Sequence, residues 1–213
     1  MTRPDTSHST TLLIDEPAPA TAGDAGRGTP ISRLPLAPRD ALPGPLRKQL
    51  DQLESQLGHL PNWAAALALG GEASYHLNAL LLTLLGRKGE LSAEDRDFLA
   101  LVASAVNECS YCRLNHIQSY ARAVHDHALA TRIGLDYREV PELDARRRAL
   151  ADFTRKVSVD VHSVSDEDYA GLRAHGLTDA QIFEALLVIT AFAAANRLTV
   201  ALNVTPDQQF FEN

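Results

Sequence analysis

The sequence contains few cysteines, few aromatic residues and no excess of positive charge. Only 2 of its 213 residues are cysteine, 1 is tryptophan, and 6% are aromatic. Two cysteines in a chain of this length do not make a secreted scaffold held together by disulfides. The formal net charge is -7 at pH 7, which is the wrong sign for a nucleic-acid-binding surface. We therefore expect no nucleic-acid partner.

Long apolar segments are also missing. No run of about 18 apolar residues indicates a membrane span. The N-terminus has one early arginine, Arg3, and lacks the apolar core of a secretory signal. We therefore expect a cytoplasmic protein with no membrane partner. In that compartment a pair of neighbouring cysteines would be kept reduced between turnovers.

Alanine and leucine dominate the remaining sequence, and both favour helices. Apolar residues recur at helical spacing, whereas no alternating strand pattern and no repeat of about 20 to 50 residues is visible. The sequence therefore predicts an all-α fold without a sheet. The expected helices cover about 46–57, 61–69, 72–85, 92–106, 109–116 continuing through 117–134, 144–158, 165–176, and 178 to a point past 198.

The composition divides the chain near residue 30. Residues 1–29 are rich in Thr, Ser, Pro, Ala, Gly and Asp, which predicts a disordered N-terminal arm or an arm that crosses to a neighbouring subunit. Residues 30–213 are predicted to form a single helical domain. Within it, we expect Trp63 to pack in the core rather than to line a substrate pocket. Asn196 and Arg197 are expected to line a pocket, to join subunits or to form a buried structural pair.

Both cysteines lie in one short motif with a histidine, Cys109-x-x-Cys112-x-x-x-His116. Residues three or four apart on a helix share a face, so His116 can contact Cys112, with Cys109 one turn earlier. Cys109 is expected at the start of a new helix, where unpaired N–H groups favour a thiolate. His116 can take the proton of Cys112 or pair with its thiolate. Because the spacing also allows a disulfide, the motif indicates a redox or nucleophilic site.

Two other interpretations of the motif remain open. Structural zinc is normally held by four Cys or His ligands, and the sequence has no second C-x-x-C and no C-x-x-H. With His116 as a third ligand, a fourth would have to come from far along the chain. The cysteines could instead be a structural pair of buried thiols. We expect neither a metal nor another cofactor.

The segment around the motif resembles a known family. The runs LSAEDRD (91–97), LALVAS (99–104) and NxCxYCxxxH (107–116) are similar to the alkylhydroperoxidase AhpD-like branch of the carboxymuconolactone decarboxylase family. More narrowly, they resemble its peroxidase-related members. The resemblance extends over roughly residues 31–211. It implies that residues 30–213 are an AhpD-like helical domain, a cofactor-free thiol peroxidase or disulfide reductase that is usually a homo-oligomer.

The resemblance also implies roles for four residues. In that family a carboxylate upstream of the cysteines, both cysteines and the histidine form a proton relay, and the second cysteine meets the peroxide. The matching positions are Asp97, Cys109, Cys112 and His116. Asp97 stands where the family usually has glutamate, and Tyr111 stands where its best-known members have a second histidine.

The expected function is thiol-dependent reduction of a small-molecule peroxide. Cys112 would become a sulfenic acid, Cys109 would close the disulfide, and His116 with Asp97 behind it would move protons. An external dithiol, such as a thioredoxin- or lipoyl-type carrier, would then reduce the pair. We expect a homo-oligomer, as a dimer, trimer or hexamer.

Two alternative functions remain open. One is a cofactor-free decarboxylase or lactone-processing enzyme, although the decarboxylase branch lacks this thiol pair. The other is a non-catalytic redox sensor or helical interaction protein.

Overall fold

The structure is a computed structural model and describes residues 30–86 and 88–212. Over this part of the chain it contains α-helices and short 3-10 helices and no strand, which confirms the all-α prediction. The predicted arm at residues 1–29 lies outside the described residues and stays a prediction. The α-helices in chain order are α1 (Gly44–Leu57), α2 (Asn62–Leu67), α3 (Glu72–Gly86), α4 (Ala93–Val106), α5 (Ser110–Val124), α6 (His127–Asp136), α7 (Ala145–Val159), α8 (Asp166–Ala174) and α9 (Asp179–Leu202).

Helix α4 lies at the centre of the bundle. It contacts α3, α5, α6, α7 and α9. Its consecutive residues 98–103 are all fully buried, because their side chains are apolar on every face of the helix. The middle of α4 therefore belongs to the main core, which holds the flanking helices in fixed positions.

Helices α4 and α5 form an antiparallel hairpin. Asp97 near the start of α4 contacts Ser119 in the second half of α5, while the backbone of Ser104 bonds to that of Cys109. Glu108 makes the turn between them with a left-handed backbone, φ 56°. The hairpin places the start of α5, with its cysteines, beside the end of the central helix.

Helix ends follow the local signals in the sequence. The Ser92 hydroxyl accepts the N–H of Asp95 at the start of α4. Thr178 and Gln181 form a capping box at the start of α9, which satisfies backbone N–H groups that have no partner within the helix. One predicted helix end was too early in the chain: α6 continues to Asp136, past the expected end at Gly134.

Helix α9 is the one described helix that is long and apolar enough to cross a membrane by length and composition. Nearly half of its most apolar window, 44%, is buried inside the protein. Core helices of soluble bundles have this character too. Its buried side supplies Phe192, Ala195 and Thr199 to the region of the cysteines.

After α9 the chain turns back toward the cysteines. The N–H of Thr205 bonds to Ile31, and the side chain of Asn62 donates to the carbonyl oxygen of Thr205 at 2.9 Å. Val204 and Phe210 of this segment pack in a small apolar cluster with the two cysteines. Residues 203–211 therefore lie against the start of α5, and they are called the C-terminal segment below.

Candidate active site

Cys109 occupies the N-cap position of α5. Its Sγ accepts the backbone N–H of Cys112 at 3.3 Å. The first N–H groups of a helix have no backbone partner, and a serine or aspartate oxygen commonly fills this role. Here sulfur does so, which puts Cys109 where negative charge is favoured.

The two cysteines form a disulfide, with their Cα atoms 5.3 Å apart. Both are buried, Cys109 with 1% and Cys112 with 8% of its surface exposed. The predicted closeness of the pair is confirmed. The disulfide therefore fits inside the closed helical bundle.

His116 lies one turn after Cys112 on α5 and is also buried. Its ring packs edge-on against Phe192 of α9, with ring centroids 4.6 Å apart. Its Nδ1 has no hydrogen-bond partner among the described residues. Burial lowers the pKa of His116 from 6.5 to about 4, so the imidazole is neutral at pH 7 in this oxidised state.

The lowered pKa of His116 predicts a loss of stability in acid. In the unfolded chain the imidazole takes up a proton near pH 6.5, whereas in the folded chain it resists protonation down to about pH 4. The unfolded chain therefore binds more protons in this window, and stability falls as the pH falls through it. From pH 7 to pH 5 this group should lower the free energy of unfolding by up to about 2 kcal/mol.

Urea denaturation of the oxidised protein at both pH values measures this loss, with His116→Gln as the comparison. The variant should lose less stability than the wild type. Equal losses would contradict the assignment of a buried neutral imidazole.

The side chain of Asp97 on α4 contacts α5 at Ser119, which lies one turn after His116. Its Oδ1 accepts the hydroxyl of Ser119 at 3.0 Å. Burial raises the pKa of Asp97, while the Ser119 hydrogen bond and the charges of Arg122 and Arg96 oppose this rise. The observed partner of the carboxylate is thus Ser119 rather than the imidazole, and the role of Asp97 in a relay stays a prediction.

A cleft opens beside Cys112 and His116. Its walls are mainly aliphatic and aromatic, including Trp63, Leu81 and Phe192. None of the described residues that line it is Lys, Arg, Asp or Glu. This apolar cleft offers one sulfur, one neutral imidazole and hydrocarbon walls to a small molecule.

A second cleft opens on the side of Cys109. It is more polar, and its lining includes Glu108, Ser110 and Asn203. Tyr111 and Thr199 line both clefts. This polar cleft and the apolar cleft are therefore neighbours, and each is lined by a different cysteine of the disulfide.

Metal-binding groups are sparse in this region. Across the described ranges, 30–86 and 88–212, no group of three or more His, Cys, Asp or Glu side chains could hold a metal ion. The chemistry that this arrangement offers by itself is that of a dithiol and a base.

Comparison with known proteins gives the fold family. No family model and no curated protein sequence matches the chain. A crystal structure described as the alkylhydroperoxidase AhpD core, an uncharacterized peroxidase-related protein from Ralstonia eutropha JMP134, matches with a TM-score of 0.81 at 27% identity, over 86% of this chain and 96% of that one. The chain has an AhpD-like fold. The resemblance predicted from the cysteine motif is thereby confirmed.

Two further structures share the AhpD-like fold. An uncharacterized peroxidase-related protein from Silicibacter sp. TM1040 matches with a TM-score of 0.79 at 28% identity, over 89% of this chain and 98% of that one. The debrominase Bmp8 matches with a TM-score of 0.69 at 18% identity, over 86% of this chain and 95% of that one. At that identity the last likeness is one of fold alone.

The candidate site of this chain has a buried carboxylate that the sequence did not reveal. Asp207 of the C-terminal segment is 2% exposed, and its Oδ2 accepts the hydroxyl of Tyr111 at 2.6 Å. Its Oδ1 accepts the N–H of Asn62 at 2.8 Å. Burial and the Asp207 carboxylate raise the pKa of Tyr111, so the phenol stays a hydrogen-bond donor. Asp207 thereby ties the cysteine helix to the start of α2.

The Tyr111–Asp207 hydrogen bond should contribute measurably to the stability of this AhpD-like chain. Tyr111→Phe leaves a buried carboxylate oxygen without its donor and should cost about 1–3 kcal/mol. Tyr120 is a matched control, because its hydroxyl is buried and has no hydrogen-bond partner in the described part of the chain. Tyr120→Phe should be close to neutral, and urea denaturation compares the two. Equal effects of the two substitutions would contradict this account.

Proposed function

We propose that this chain is a thiol-dependent hydroperoxide reductase. The observation that carries the proposal is that Cys112, bonded to Cys109, lines the apolar cleft together with His116. The AhpD-like fold, shared with structures described as peroxidase-related, supports an enzyme of this class. A cysteine that meets a small-molecule cleft beside a base and a second thiol suits two-electron reduction of a peroxide.

The proposed reaction begins with both cysteines reduced. The thiolate of Cys112 attacks one oxygen of the hydroperoxide, the O–O bond breaks, and the alkoxide takes a proton and leaves as the alcohol. Cys112 is then a sulfenic acid. The Cys109 thiolate attacks that sulfur and expels hydroxide, which leaves as water after protonation, and the disulfide forms. An external dithiol returns both cysteines to thiols and becomes a disulfide itself.

His116 is proposed to carry the proton between the thiol and the departing alkoxide. A neutral imidazole can accept the proton of Cys112 and donate it when the O–O bond breaks. In the oxidised chain burial keeps the imidazole neutral at pH 7. We therefore assign it transfer of a proton within the step rather than permanent pairing with a thiolate.

Asp97 is proposed to support this transfer from one turn away, by way of Ser119. Asp97→Asn should lower kcat/KM for a hydroperoxide by about tenfold, since a group behind the base contributes less than the base itself. Asp97→Glu should keep most of the activity. Asp152→Asn is the control, because Asp152 also accepts a side-chain hydroxyl, that of Tyr137, but lines a different cleft. Wild-type rates in Asp97→Asn would remove Asp97 from the relay.

The cleft favours an uncharged organic hydroperoxide. Its hydrocarbon walls gain free energy from covering an alkyl or aryl group, and no lysine or arginine among its described lining residues would pair with a carboxylate. KM for cumene hydroperoxide should therefore be lower than KM for hydrogen peroxide or for a hydroperoxide that carries a carboxylate.

A turnover assay tests the proposed function. Loss of cumene hydroperoxide is followed with excess dithiol, using native protein and protein whose thiols were alkylated after reduction. Multiple turnovers by the native protein alone are expected. Disulfide formation without turnover would instead support a redox sensor, and lactone turnover that survives alkylation would support the decarboxylase alternative.

A second candidate is reductive dehalogenation of a halogenated aromatic compound. A cysteine-to-alanine variant of the debrominase Bmp8 was crystallised in complex with 2,3,4-tribromopyrrole. In this chain the aromatic side chains of Trp63 and Phe192 face the same cleft as Cys112, which suits a flat ring. Replacing one bromine by hydrogen would consume the two thiols, release hydrogen bromide and leave the same disulfide. Bromide release from a bromopyrrole with excess dithiol tests this activity, and its absence excludes it.

We also propose that the chain is cytoplasmic and assembles into a homo-oligomer. Support for assembly comes from α9, on which Phe183 is 63% exposed and Leu187 is 39% exposed. Apolar side chains of this size on one face of a helix gain free energy when a second copy covers them. Light scattering that gives the mass of a single chain would contradict the proposed assembly.

A further inference from the structure

The two sulfurs of the disulfide have different surroundings. Cys112 is 8% exposed and meets the apolar cleft, whereas Cys109 is 1% exposed and meets the polar cleft. A thiol that reduces a disulfide attacks one sulfur and expels the other. Access and the stability of the expelled thiolate decide which sulfur is attacked.

The stability of the expelled thiolate favours attack at Cys112 and expulsion of Cys109. Its Sγ caps α5 and accepts the N–H of Cys112 at 3.3 Å. That N–H and the helix N-terminus would stabilise a thiolate at this position. No comparable donor reaches Cys112 Sγ from the described residues. Because a better-stabilised thiolate leaves faster, attack at Cys112 is the easier reaction.

The access of a reducing thiol to each cysteine also favours attack at Cys112. The polar cleft beside Cys109 carries the carboxylate of Glu108, which repels an incoming thiolate. The apolar cleft has no carboxylate among its described lining residues, and Leu82 in its lining is 44% exposed. A small thiolate can therefore approach Cys112 without meeting a like charge.

We propose that the reducing thiol enters through the apolar cleft, attacks Sγ of Cys112 and expels Cys109 as a thiolate. This inference rests on the dithiol-driven cycle proposed above. The incoming thiolate forms a mixed disulfide with Cys112 as the Cys109–Cys112 bond breaks. The second thiol of the reductant then attacks the reductant's own sulfur in that mixed disulfide, closes the reductant's disulfide and releases Cys112 as a thiolate. Peroxide and reductant thus use the same cleft in alternate halves of the cycle.

Trapping of the mixed disulfide tests the site of attack. The oxidised wild-type protein is mixed with excess 2-mercaptoethanol, quenched at short times with iodoacetamide and mapped by peptide mass spectrometry. The mercaptoethanol adduct is expected on Cys112, with Cys109 alkylated, in about tenfold excess over the reverse pattern, the factor expected from one hydrogen bond to a charged group. Equal yields, or an excess of adduct on Cys109, would overturn the proposal.

Substitutions at two exposed apolar residues, one in each cleft, test which cleft the reducing thiol enters. Leu82 lines the apolar cleft, and Val200, 48% exposed, lines the polar cleft. Leu82→Trp should slow reduction of the disulfide by 2-mercaptoethanol about fivefold, because it narrows the path of approach. Val200→Trp should leave the rate within about twofold of the wild type.

If Val200→Trp slows reduction of the disulfide, or if neither variant slows it, the proposed route through the apolar cleft is wrong. No peroxide is present in these experiments. A chain that lacked peroxidase activity would therefore still report which sulfur is attacked, and a failed peroxide assay would count against the proposed function alone.

Discussion

Cys112→Ser is expected to reduce peroxide consumption by about a thousandfold or more in the presence of excess dithiol. A serine hydroxyl at this position is not ionised near pH 7 and has no low-energy route to accept an oxygen atom, whereas a thiolate is a strong nucleophile. The substitution is close to isosteric, and Cys112 lies at the wall of a cleft. The fold should therefore be retained, which circular dichroism and urea denaturation can verify. The measurement is the initial rate of cumene hydroperoxide loss.

Cys109→Ser separates the two cysteine roles. In the absence of added dithiol, this variant should consume one equivalent of hydroperoxide and stop with Cys112 as a sulfenic acid, because no second thiol of the chain can close the disulfide. A dimedone adduct on Cys112 would report the trapped sulfenic acid. Full turnover by Cys112→Ser, or a dimedone adduct on Cys109 in that variant, would reverse the assignment of the two cysteines.

His116→Gln is expected to lower kcat for the hydroperoxide about a hundredfold at pH 7, the lower end of the usual contribution of a general acid–base group. Glutamine fills a similar volume against Phe192 but cannot take and return a proton. The deficit should shrink as the pH rises toward about 8.5, where a cysteine thiol ionises without assistance. Rates measured from pH 6 to pH 9 give both the size of the loss and its pH dependence.

His76→Gln is the matched control for this substitution. The side chain of His76 on α3 is 69% exposed, and it does not line the apolar cleft. Its replacement should leave both kcat and the pH profile unchanged. A pH-independent loss in His116→Gln would assign His116 to packing against Phe192 rather than to proton transfer.

The sequence predicted features that depend on neighbours in the chain. Ser92 and Thr178 marked helix starts, because an N-cap hydroxyl bonds to an N–H three residues later. The closeness of Cys109 and Cys112 followed for the same reason, since their spacing on a helix start fixes their separation. These predictions are confirmed because each depends on a single turn of backbone.

Features that depend on distant residues were not visible in the sequence. Asp207 contacts Tyr111 across 96 positions, and no local pattern distinguishes it from a surface aspartate. Trp63 was expected in the core; it packs against two apolar clusters, and it also lines the apolar cleft, which the sequence did not show. The Ser119 partner of Asp97 likewise follows from the pairing of α4 with α5.

The state of His116 is the main change that the structure brings to the site. The spacing of the motif allowed an imidazole that pairs with a thiolate. In the oxidised chain, burial against Phe192 keeps the imidazole neutral, which is the form that can accept the proton of a thiol.

The central claim is that Cys109 and Cys112 together take up the two oxidising equivalents of a hydroperoxide. Intact mass spectrometry of the reduced protein before and after one equivalent of cumene hydroperoxide tests it most directly. The account predicts a mass loss of two hydrogen atoms, with both cysteines protected from alkylation, because the sulfenic acid condenses to the disulfide. An unchanged mass, or a lasting gain of one oxygen atom with both sulfurs unlinked, would contradict it.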